Sequence, residues 1–168
     1  MKIAFAGRMG VGKDEAVSYL IRRYGGTKIS FATPLYDIMH YAQKRCGFNV
    51  EKDRKFLQYI GTDWARARDP DVWINLALKS VPNEGHCYIS DLRFVNELET
   101  LKMNGWTCVK IVRGRQKERQ GSGSSIHSSE TNLDNISETY WSSIIYNDKT
   151  LTEFYSKLDH IMNTIITN

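Results

Sequence analysis

A glycine-rich stretch near the start of the chain constrains the fold more than any other feature. Residues 7–14 read Gly-Arg-Met-Gly-Val-Gly-Lys-Asp and directly follow the apolar run 3–6. The pattern G-x-x-x-x-G-K is typical of a phosphate-binding loop between a strand and a helix, in which Ser or Thr usually follows the lysine. Glycines let successive backbone N–H groups point at phosphate oxygens, and the helix N-terminus adds partial positive charge. A chance glycine-rich turn is the alternative, but strand, loop and helix patterns all lie where phosphate binding requires them.

Two side chains of this stretch carry the predicted chemistry. Lys13 supplies a full positive charge to terminal phosphates. Asp14 stands where the hydroxyl of Ser or Thr would normally hold Mg²⁺, and a carboxylate is an equally hard oxygen donor. The sequence therefore predicts that Asp14 serves the metal, directly or through water.

Composition limits the classes of protein to which the chain can belong. Its 168 residues with 41% hydrophobic content can bury one good core, which favours a single domain over residues 1–168. A net charge of +4 without long basic runs suits phosphorylated small molecules and argues against a nucleic-acid partner. No apolar run approaches the roughly 20 residues needed to cross a bilayer, and no signal peptide is recognisable. Cys46, Cys87 and Cys108 match no metal spacing, so we expect buried thiols in a cytoplasmic protein.

Strand and helix patterns alternate along the chain. The predicted strands are 2–6, 27–31, 86–90, 107–112 and 141–146. The first predicted helix runs from the glycine-rich loop to residue 24, and three more cover 34–45, with Thr33 as its cap, 51–67 and 95–103. Two further helices are predicted by their starts, one capped by Asp71 and one opened by a Thr150–Glu153 capping box. This order predicts an α/β fold: a parallel sheet of about five strands, with helices on both faces and ligands at the carboxyl ends of the strands.

The end of the third predicted strand carries the next candidate residues. Asp91 follows an apolar strand, as a carboxylate that supports Mg²⁺ would, and Arg93 is suited to gripping a phosphate in bidentate fashion. Glu97 lies four residues after Arg93 on the same helix face. The alternative is a surface ion pair between Arg93 and Glu97 worth about half a kcal/mol. Because ligands bind at this end of the sheet, we favour a functional role.

A second polar group lies on the predicted helix 51–67. Arg54, Gln58 and the pair Gly61-Thr62 share one face, opposite Phe56 and Ile60, and Lys55 adds a second cation. Two cations suit a monophosphate, and Gln58 suits the edge of a base, although a solvated helix face has the same pattern. Trp73 would either stack on a base or belong to the core, and the pattern alone leaves both open.

The segment 113–135 has the composition of an insert. Residues 120–125 read Gln-Gly-Ser-Gly-Ser-Ser, and Arg113, Arg115, Lys117 and Arg119 precede them. A polar, basic insert after a strand of a phosphate-loop fold is typical of a lid that closes over phosphates. An ordinary solvated loop is the alternative.

Motifs along nearly the whole chain resemble the deoxynucleoside monophosphate kinases of tailed bacteriophages. The matching stretches are 7–14 with its Gly-Lys-Asp ending, Phe31-Ala32-x-Pro34-Leu35, Arg54-Lys55-x-x-Gln58-x-x-Gly61-Thr62, Asp71-x-Trp73, Asp91-x-Arg93-x-x-Asn96-Glu97, His127-x-Ser129-Glu130 and Asn147-Asp148-x-Thr150-Leu151. Together and in order, they are far more specific than the phosphate loop alone. The resemblance implies transfer of the γ-phosphate of ATP to a deoxynucleoside monophosphate, with Mg²⁺, on a nucleoside-monophosphate-kinase fold.

The resemblance also implies a role for each group of residues. The nucleotide site would comprise Gly7, Gly10, Val11, Gly12, Lys13, Asp14, Glu15, Asn147 and Asp148, with Asp14 and Asp91 towards the metal. The acceptor site, within a helical part at about 33–82, would comprise Arg54, Lys55, Gln58, Gly61, Thr62, Trp73 and Arg93. The reacting centre would comprise Lys13, Asp91, Arg93 and Glu97, with lid arginines Arg113, Arg115 and Arg119.

Departures from the family pattern leave alternatives open. The family often reads Ser-Gly-Lys-Asp-Thr, whereas Val11 and Glu15 replace its Ser and Thr here, and the chain is short for the family. A phosphate-loop kinase for another acceptor, such as dephospho-coenzyme A or phosphomevalonate, would share the loop and the lid. An alcohol acceptor would require a general base, for which Asp91 is placed. A non-catalytic nucleotide-binding protein is the third interpretation, and a homodimer remains possible in each case.

Overall fold

The computed structural model describes residues 1–114 and 132–167, and no side chain beyond residue 166. The strands are β1 Lys2–Ala6, β2 Thr27–Ile29, β3 Cys87–Leu92, β4 Thr107–Val112 and β5 Ser143–Tyr146. The helices are α1 Lys13–Tyr24, α2 Thr33–Arg45, α3 Arg54–Gln58, α4 Val72–Lys79, α5 Val95–Met103 and α6 Leu151–Thr167. A π-helical segment, Tyr59–Arg66, continues directly from α3, and a short 3₁₀ turn covers Glu138–Tyr140. No helix in these ranges is long and apolar enough to cross a membrane.

The five strands form one sheet in the order β2-β3-β1-β4-β5. The pairs β1–β3, β1–β4 and β4–β5 are parallel. Parallel neighbours need crossover connections, which α1, α5 and the other helices between the strands provide. The predicted α/β class with a five-stranded parallel sheet is therefore confirmed.

Alternate residues of each strand point to opposite faces of the sheet. Helices pack on the sheet and bury the apolar side chains of its strands. Ile3 and Phe5 of β1 belong to a buried cluster that also contains the apolar faces of α1 and α6, with Leu20 and Phe154 among its members. Helix α5 packs against β4, and its Leu98 is fully buried. Strand β1 ends at Ala6, and the glycine-rich loop starts directly after it.

The chain divides into two compact units, which are described separately. The sheet unit comprises Met1–Lys28 and Pro82–Asn168, and the helical unit comprises Ile29–Val81. The helical unit contains α2, α3, the π-helical segment and α4.

The predicted helix over 51–67 is wrong in both extent and type. An Asp53 carboxylate caps α3 by accepting from the Phe56 N–H at 3.0 Å, and after five residues the backbone changes to π-helical geometry. The sequence places Phe56, Ile60 and Trp64 at the spacing of one α-helical face. Each π turn holds more residues than an α turn, so this common face is not kept. Trp64 is consequently 41% exposed, with the Arg68 guanidinium 4.7 Å from its ring. In α4, Trp73, whose place the sequence pattern left open, is buried together with Ala77, whereas Leu76 is 40% exposed.

Smaller corrections concern the ends of elements. Strand β2 stops at Ile29, two residues short of the prediction, and β5 starts only at Ser143. Helix α2 begins at Thr33 itself, so Ala32 and not Thr33 is the N-cap residue. Strand β3 extends to Leu92, so Asp91 lies within the strand and not after it. The capping box is confirmed, since Thr150 N donates to Glu153 at 3.1 Å and Glu153 N donates to Thr150 Oγ1 at 3.3 Å.

Candidate active site

The glycine-rich loop joins β1 to α1 and wraps around the Lys13 ammonium group. Lys13 Nζ donates to the carbonyl of Gly7 at 2.6 Å and to that of Arg8 at 2.9 Å. These bonds hold the ammonium group across the start of the loop, next to the N–H groups of the first turn of α1. A concentrated positive potential at a helix N-terminus is the arrangement that binds phosphate oxygens.

Two loop positions accept only glycine. Gly7 has φ +139°, and a Cβ there would lie 2.3 Å from the carbonyl oxygen of Ile111 in β4. Gly12 has φ +110°, and a Cβ there would lie 2.8 Å from Nδ2 of Asn147. Both the backbone angle and the lack of space exclude a side chain, so the loop can pass close to its neighbours only with glycine.

The loop that follows β5 contacts the glycine-rich loop. Asn147, which is 8% exposed, donates from Nδ2 to the carbonyl of Val11 at 2.8 Å. The neighbouring Asp148 carboxylate accepts a hydrogen bond from the N–H of Gly114. The predicted nucleotide-binding residues 147 and 148 therefore lie against the glycine-rich loop and the end of β4, respectively.

Asp14, at the first turn of α1, has two partners that were not predicted from the sequence. Its Oδ1 accepts from Lys28 Nζ at 2.8 Å and from Ser90 Oγ at 2.7 Å. Partial desolvation alone would raise the pKa of Asp14. The hydrogen bonds from Lys28 and Ser90 and the charges of Lys28 and Lys13 more than offset it, so this pKa is lowered. The carboxylate is therefore ionised at neutral pH, as a metal ligand must be.

Glu15 makes its contacts with α1 and α6. Its Oε1 accepts from the Tyr155 hydroxyl at 2.5 Å and from Arg22 at 2.9 Å. These hydrogen bonds, the one from Tyr155 being the larger cause, lower the pKa of Glu15. Tyr155 also stacks on Tyr19 with ring centroids 3.9 Å apart, so Glu15 joins the two helices that cover this face of the sheet.

The residues after β3 adopt a geometry that the sequence did not reveal. Glu97 is 1% exposed, and its Oε2 accepts from the backbone N–H groups of Arg93 and Phe94, each at 3.0 Å. A buried carboxylate at the third position of a helix commonly satisfies N–H groups that the helix leaves unpaired. Glu97 thus holds the backbone that carries the exposed Arg93 side chain.

A small cleft next to Gly7 brings together charged residues from several elements. It is lined by Ala6, Gly7, Leu92, Arg93, Lys110, Leu133, Asp134 and Trp141. Asp134 forms an ion pair with Arg8 of the glycine-rich loop at 2.8 Å. Arg113 Nη1 lies 3.5 Å from the carbonyl of Gly10 in the same loop. No sequence motif identified Lys110 and Asp134 as site residues, because their position next to Gly7 depends on the strand order and not on local spacing.

In the helical unit, the predicted acceptor residues fall into two groups. Arg54, Lys55 and Gln58 are exposed on α3. Gly61 is buried where a Cβ would lie only 3.2 Å from Leu35, and its carbonyl accepts from Trp73 Nε1 at 2.8 Å. Trp73 is 2% exposed, as the core interpretation expects. It therefore supports the π-helical segment, which also contains the half-buried Thr62.

Some predicted residues lie outside the described part of the chain. Arg115, Arg119 and the stretch His127-x-Ser129-Glu130 fall within 115–131, as does most of the predicted lid. On either side of that range, Arg113 and Gly114 contact Gly10 and Asp148, and Asp134 contacts Arg8.

Comparison with known proteins gives one family match and two similar viral proteins. The family model described as "Deoxynucleotide monophosphate kinase" matches residues 52–158. A putative deoxynucleotide monophosphate kinase of Acanthamoeba polyphaga mimivirus is 30% identical over 93% of this chain and 93% of its own length. An uncharacterized protein, ORF77, of Ictalurid herpesvirus 1 (strain Auburn) is 36% identical over 93% of this chain and 68% of its own length.

The matches and the geometry cover complementary parts of the chain. The family match begins after the glycine-rich loop, whereas the contacts of Lys13 and Asp14 describe the loop itself. On the matched length and the relative aligned over nearly its whole extent, the chain belongs to the deoxynucleotide monophosphate kinase family and is a kinase that phosphorylates deoxynucleoside monophosphates.

Proposed function

We propose that the chain transfers the γ-phosphate of ATP to a deoxynucleoside monophosphate in the presence of Mg²⁺, giving ADP and the diphosphate. The observation that carries the choice of donor is the Lys13 ammonium group. It is held by two loop carbonyls, at 2.6 and 2.9 Å, at the N-terminus of a 12-residue helix. A fixed cation and a row of N–H groups suit a triphosphate tail. Assignment to the bacteriophage branch in particular rests on the motif resemblance alone.

The donor nucleotide is assigned to the loops around β1 and β5. Gly7, Gly10, Val11 and Gly12 provide the backbone that follows the phosphates, and Lys13 provides the charge. We assign Asn147 and Asp148 to the nucleoside end of ATP. Glu15, which is bonded to Tyr155 and Arg22, is assigned to supporting the first turn of α1.

The residues present fit a magnesium ion of the kind that a nucleotide brings with it. No group of three or more His, Cys, Asp or Glu side chains within residues 1–114 and 132–167 is arranged to hold a metal by itself. Mg²⁺ in kinases commonly uses one or two carboxylates together with substrate phosphates and water. Asp14, ionised and at the start of α1, and Asp91 would hold it. When bound, the ion neutralises charge on the phosphates.

The acceptor sets the remaining requirements. A nucleoside monophosphate attacks through an oxygen that is already anionic, so no general base is needed. Catalysis then consists of aligning two anions while cations offset their repulsion. We assign this task to Arg93 and to the lid arginines Arg113, Arg115 and Arg119. Binding of the acceptor itself is assigned to Arg54, Lys55, Gln58 and Thr62.

Two features of the helical unit support its assignment to the acceptor. The three exposed polar side chains of α3 directly precede the π-helical segment. π-Helical turns are rare and occur frequently at functional sites, where they alter the direction of side chains. Trp73 and Gly61 stabilise this segment through the 2.8 Å hydrogen bond, so we assign both a supporting role.

The test is a coupled assay of ADP release with Mg²⁺-ATP and each deoxynucleoside monophosphate. We expect activity in the wild type and a loss of at least about a hundredfold in Lys13→Met. Lys102→Met, in the last turn of α5 where Lys102 contacts Tyr140, is the matched control and should stay active. Melting temperatures of both variants control for folding. Transfer retained within a few-fold in Lys13→Met would contradict the assignment of the loop.

A further inference from the structure

The two partners of Asp14 come from strands far away in sequence. Lys28 lies in the edge strand β2, and Ser90 lies in β3, 76 residues from Asp14. Both donate to the same oxygen, Oδ1, at 2.8 and 2.7 Å. Among residues 1–114 and 132–167, no hydrogen bond or ion pair reaches Oδ2 of this carboxylate.

A β-bulge places the Ser90 hydroxyl next to Asp14. Between the pairs Ala4–Ile89 and Ala6–Leu92, β1 advances by two residues while β3 advances by three. The extra residue in β3 therefore lies at Ser90 or Asp91. Bulges change the direction of nearby side chains and are frequent beside active sites. Ser90 is only 5% exposed, so its hydroxyl lies at an internal position with Asp14 as acceptor.

A carboxylate takes the place of the usual hydroxyl after the loop lysine, and a hydroxyl from a neighbouring strand is bonded to it. In phosphate-loop enzymes the residue after the loop lysine is usually Ser or Thr, and a carboxylate comes from a neighbouring strand. Here the carboxylate, Asp14, follows Lys13, and the hydroxyl, Ser90, comes from the strand. A 2.7 Å hydrogen bond joins the two groups, and Asp91 follows Ser90 in the same strand.

Lys28 cannot contribute much to stability through this contact. Its side chain is 45% exposed and that of Asp14 is 80% exposed. Exposed ion pairs contribute little to folding because water and salt screen them. A lysine at this position instead compensates a negative charge that would repel the phosphates of an incoming nucleotide.

We propose that Ser90 and Lys28 are positioning residues for Asp14. Ser90 holds Oδ1 so that the second oxygen stays available to the metal ion. Lys28 is the counter-cation of Asp14 when no metal is present. This inference rests on the proposed function, because it concerns the nucleotide-bound metal. Ser90 and Lys28 are thereby added to the candidate active site, each with its own role.

The two tasks predict that ADP binding weakens under opposite conditions, which isothermal titration calorimetry with Mg²⁺ and with EDTA measures. Ser90→Ala should weaken binding about tenfold or more in Mg²⁺ and leave binding in EDTA nearly unchanged, since loss of a partner of a metal ligand typically costs that much. Ser90→Thr keeps a hydroxyl and should stay close to the wild type. Ser142→Ala, which removes a hydroxyl bonded to the Cys108 N–H, is the matched control.

Lys28→Met should show the reverse pattern. In EDTA the uncompensated Asp14 repels the phosphates and binding weakens several-fold, whereas in Mg²⁺ the ion offsets that charge and binding changes little. Lys102→Met controls for the loss of a positive charge. Equal weakening in both conditions, or none in either, would overturn the role given to Lys28.

Other outcomes separate this inference from the proposed function. If Ser90→Ala, shown to be folded by its melting temperature, binds Mg²⁺-ADP as tightly as the wild type, the role of Ser90 is overturned while nucleotide binding stands. If Lys13→Met binds Mg²⁺-ADP like the wild type, the proposed function itself fails.

Discussion

Asn147 Nδ2 donates a hydrogen bond to the carbonyl oxygen of Val11 at 2.8 Å, 136 residues away in the chain. The bond is buried and connects the loop after β5 to the middle of the glycine-rich loop. A buried carbonyl that loses its donor costs about 1–3 kcal/mol. The conformation of the glycine-rich loop therefore depends on a residue near the opposite end of the sequence.

Asn147→Ala should lower the free energy of unfolding by about 1–3 kcal/mol and weaken ADP binding, because the carbonyl of Val11 is left unpaired in the interior. Asn104→Ala is the matched control, since Asn104 Nδ2 donates to the exposed carbonyl of Thr100 at 2.9 Å. Urea unfolding and calorimetry measure both quantities. Equal losses of stability in the two variants would mean that the bond from Asn147 has no special weight.

Gly7→Ala should be far more damaging than Gly105→Ala, although both glycines have positive φ, +139° and +74°. A Cβ at Gly7 would lie 2.3 Å from the carbonyl oxygen of Ile111, whereas one at Gly105 meets nothing within 4 Å. We expect a cost of about 1–2 kcal/mol at Gly105 from the backbone angle alone. The cost at Gly7 should exceed this, with loss of nucleotide binding. Similar melting temperatures of the two variants would contradict the close packing of Gly7 against β4.

The sequence predicts those elements whose ends are marked by strong local signals. The bounds of β1, α5 and β4 match the prediction, because β-prone runs or helical periodicity end there at a glycine or a charged residue. Fold class follows from the alternation of strands and helices, since parallel strands need crossovers. The position of the glycine-rich loop between β1 and α1 was equally predictable, because its glycines and lysine are adjacent in sequence.

The remaining features depend on contacts between distant residues. An α-helix and a π-helical segment have similar residue patterns. The residues around Tyr59 therefore do not predict the change in helix type that exposes Trp64. The partners of Asp14 are 14 and 76 residues away, and the bulge that directs Ser90 exists only when β1 and β3 pair. Propensity and spacing do not carry that information.

Cysteine reactivity tests the burial of the core. Cys87 and Cys108 are buried as expected, whereas the expectation is wrong for Cys46, which is exposed. Burial raises the pKa of Cys87 and raises that of Cys108 to about 12. At pH 8 both buried thiols stay protonated and unreactive. A thiol-specific disulfide reagent should therefore titrate one cysteine rapidly in native protein and all three in denaturant. The Cys46→Ser variant should lose the rapid phase. Rapid reaction in that variant would show that a buried thiol is accessible.

Arg93→Ala should lower kcat by about a thousandfold, because a cation between two phosphates is needed most in the transition state. Arg93→Lys should recover only part of the rate, since a point charge does not span two oxygens as a planar guanidinium does. Arg23→Ala, which removes an exposed arginine paired with Asp159, is the control and should leave kcat unchanged. Near-native turnover in Arg93→Ala, measured by ADP release, would remove this residue from the site.

The last prediction separates a positioning role of Glu97 from direct participation. Glu97→Ala leaves the N–H groups of Arg93 and Phe94 without their acceptor, so stability should fall by about 1–3 kcal/mol and kcat should fall as Arg93 loses its fixed position. Glu97→Gln keeps an acceptor oxygen and should lie between the wild type and Glu97→Ala.

A double-mutant cycle then decides between the two roles. If Glu97 acts only through Arg93, adding Glu97→Ala to Arg93→Ala lowers stability but does not lower kcat further, because the side chain it positions is already absent. If Glu97 contacts the reacting groups itself, kcat falls again in the double variant by a factor close to that of the single one. The hydrogen bonds from Glu97 to two backbone N–H groups, together with its 1% exposure, lead us to expect the first result.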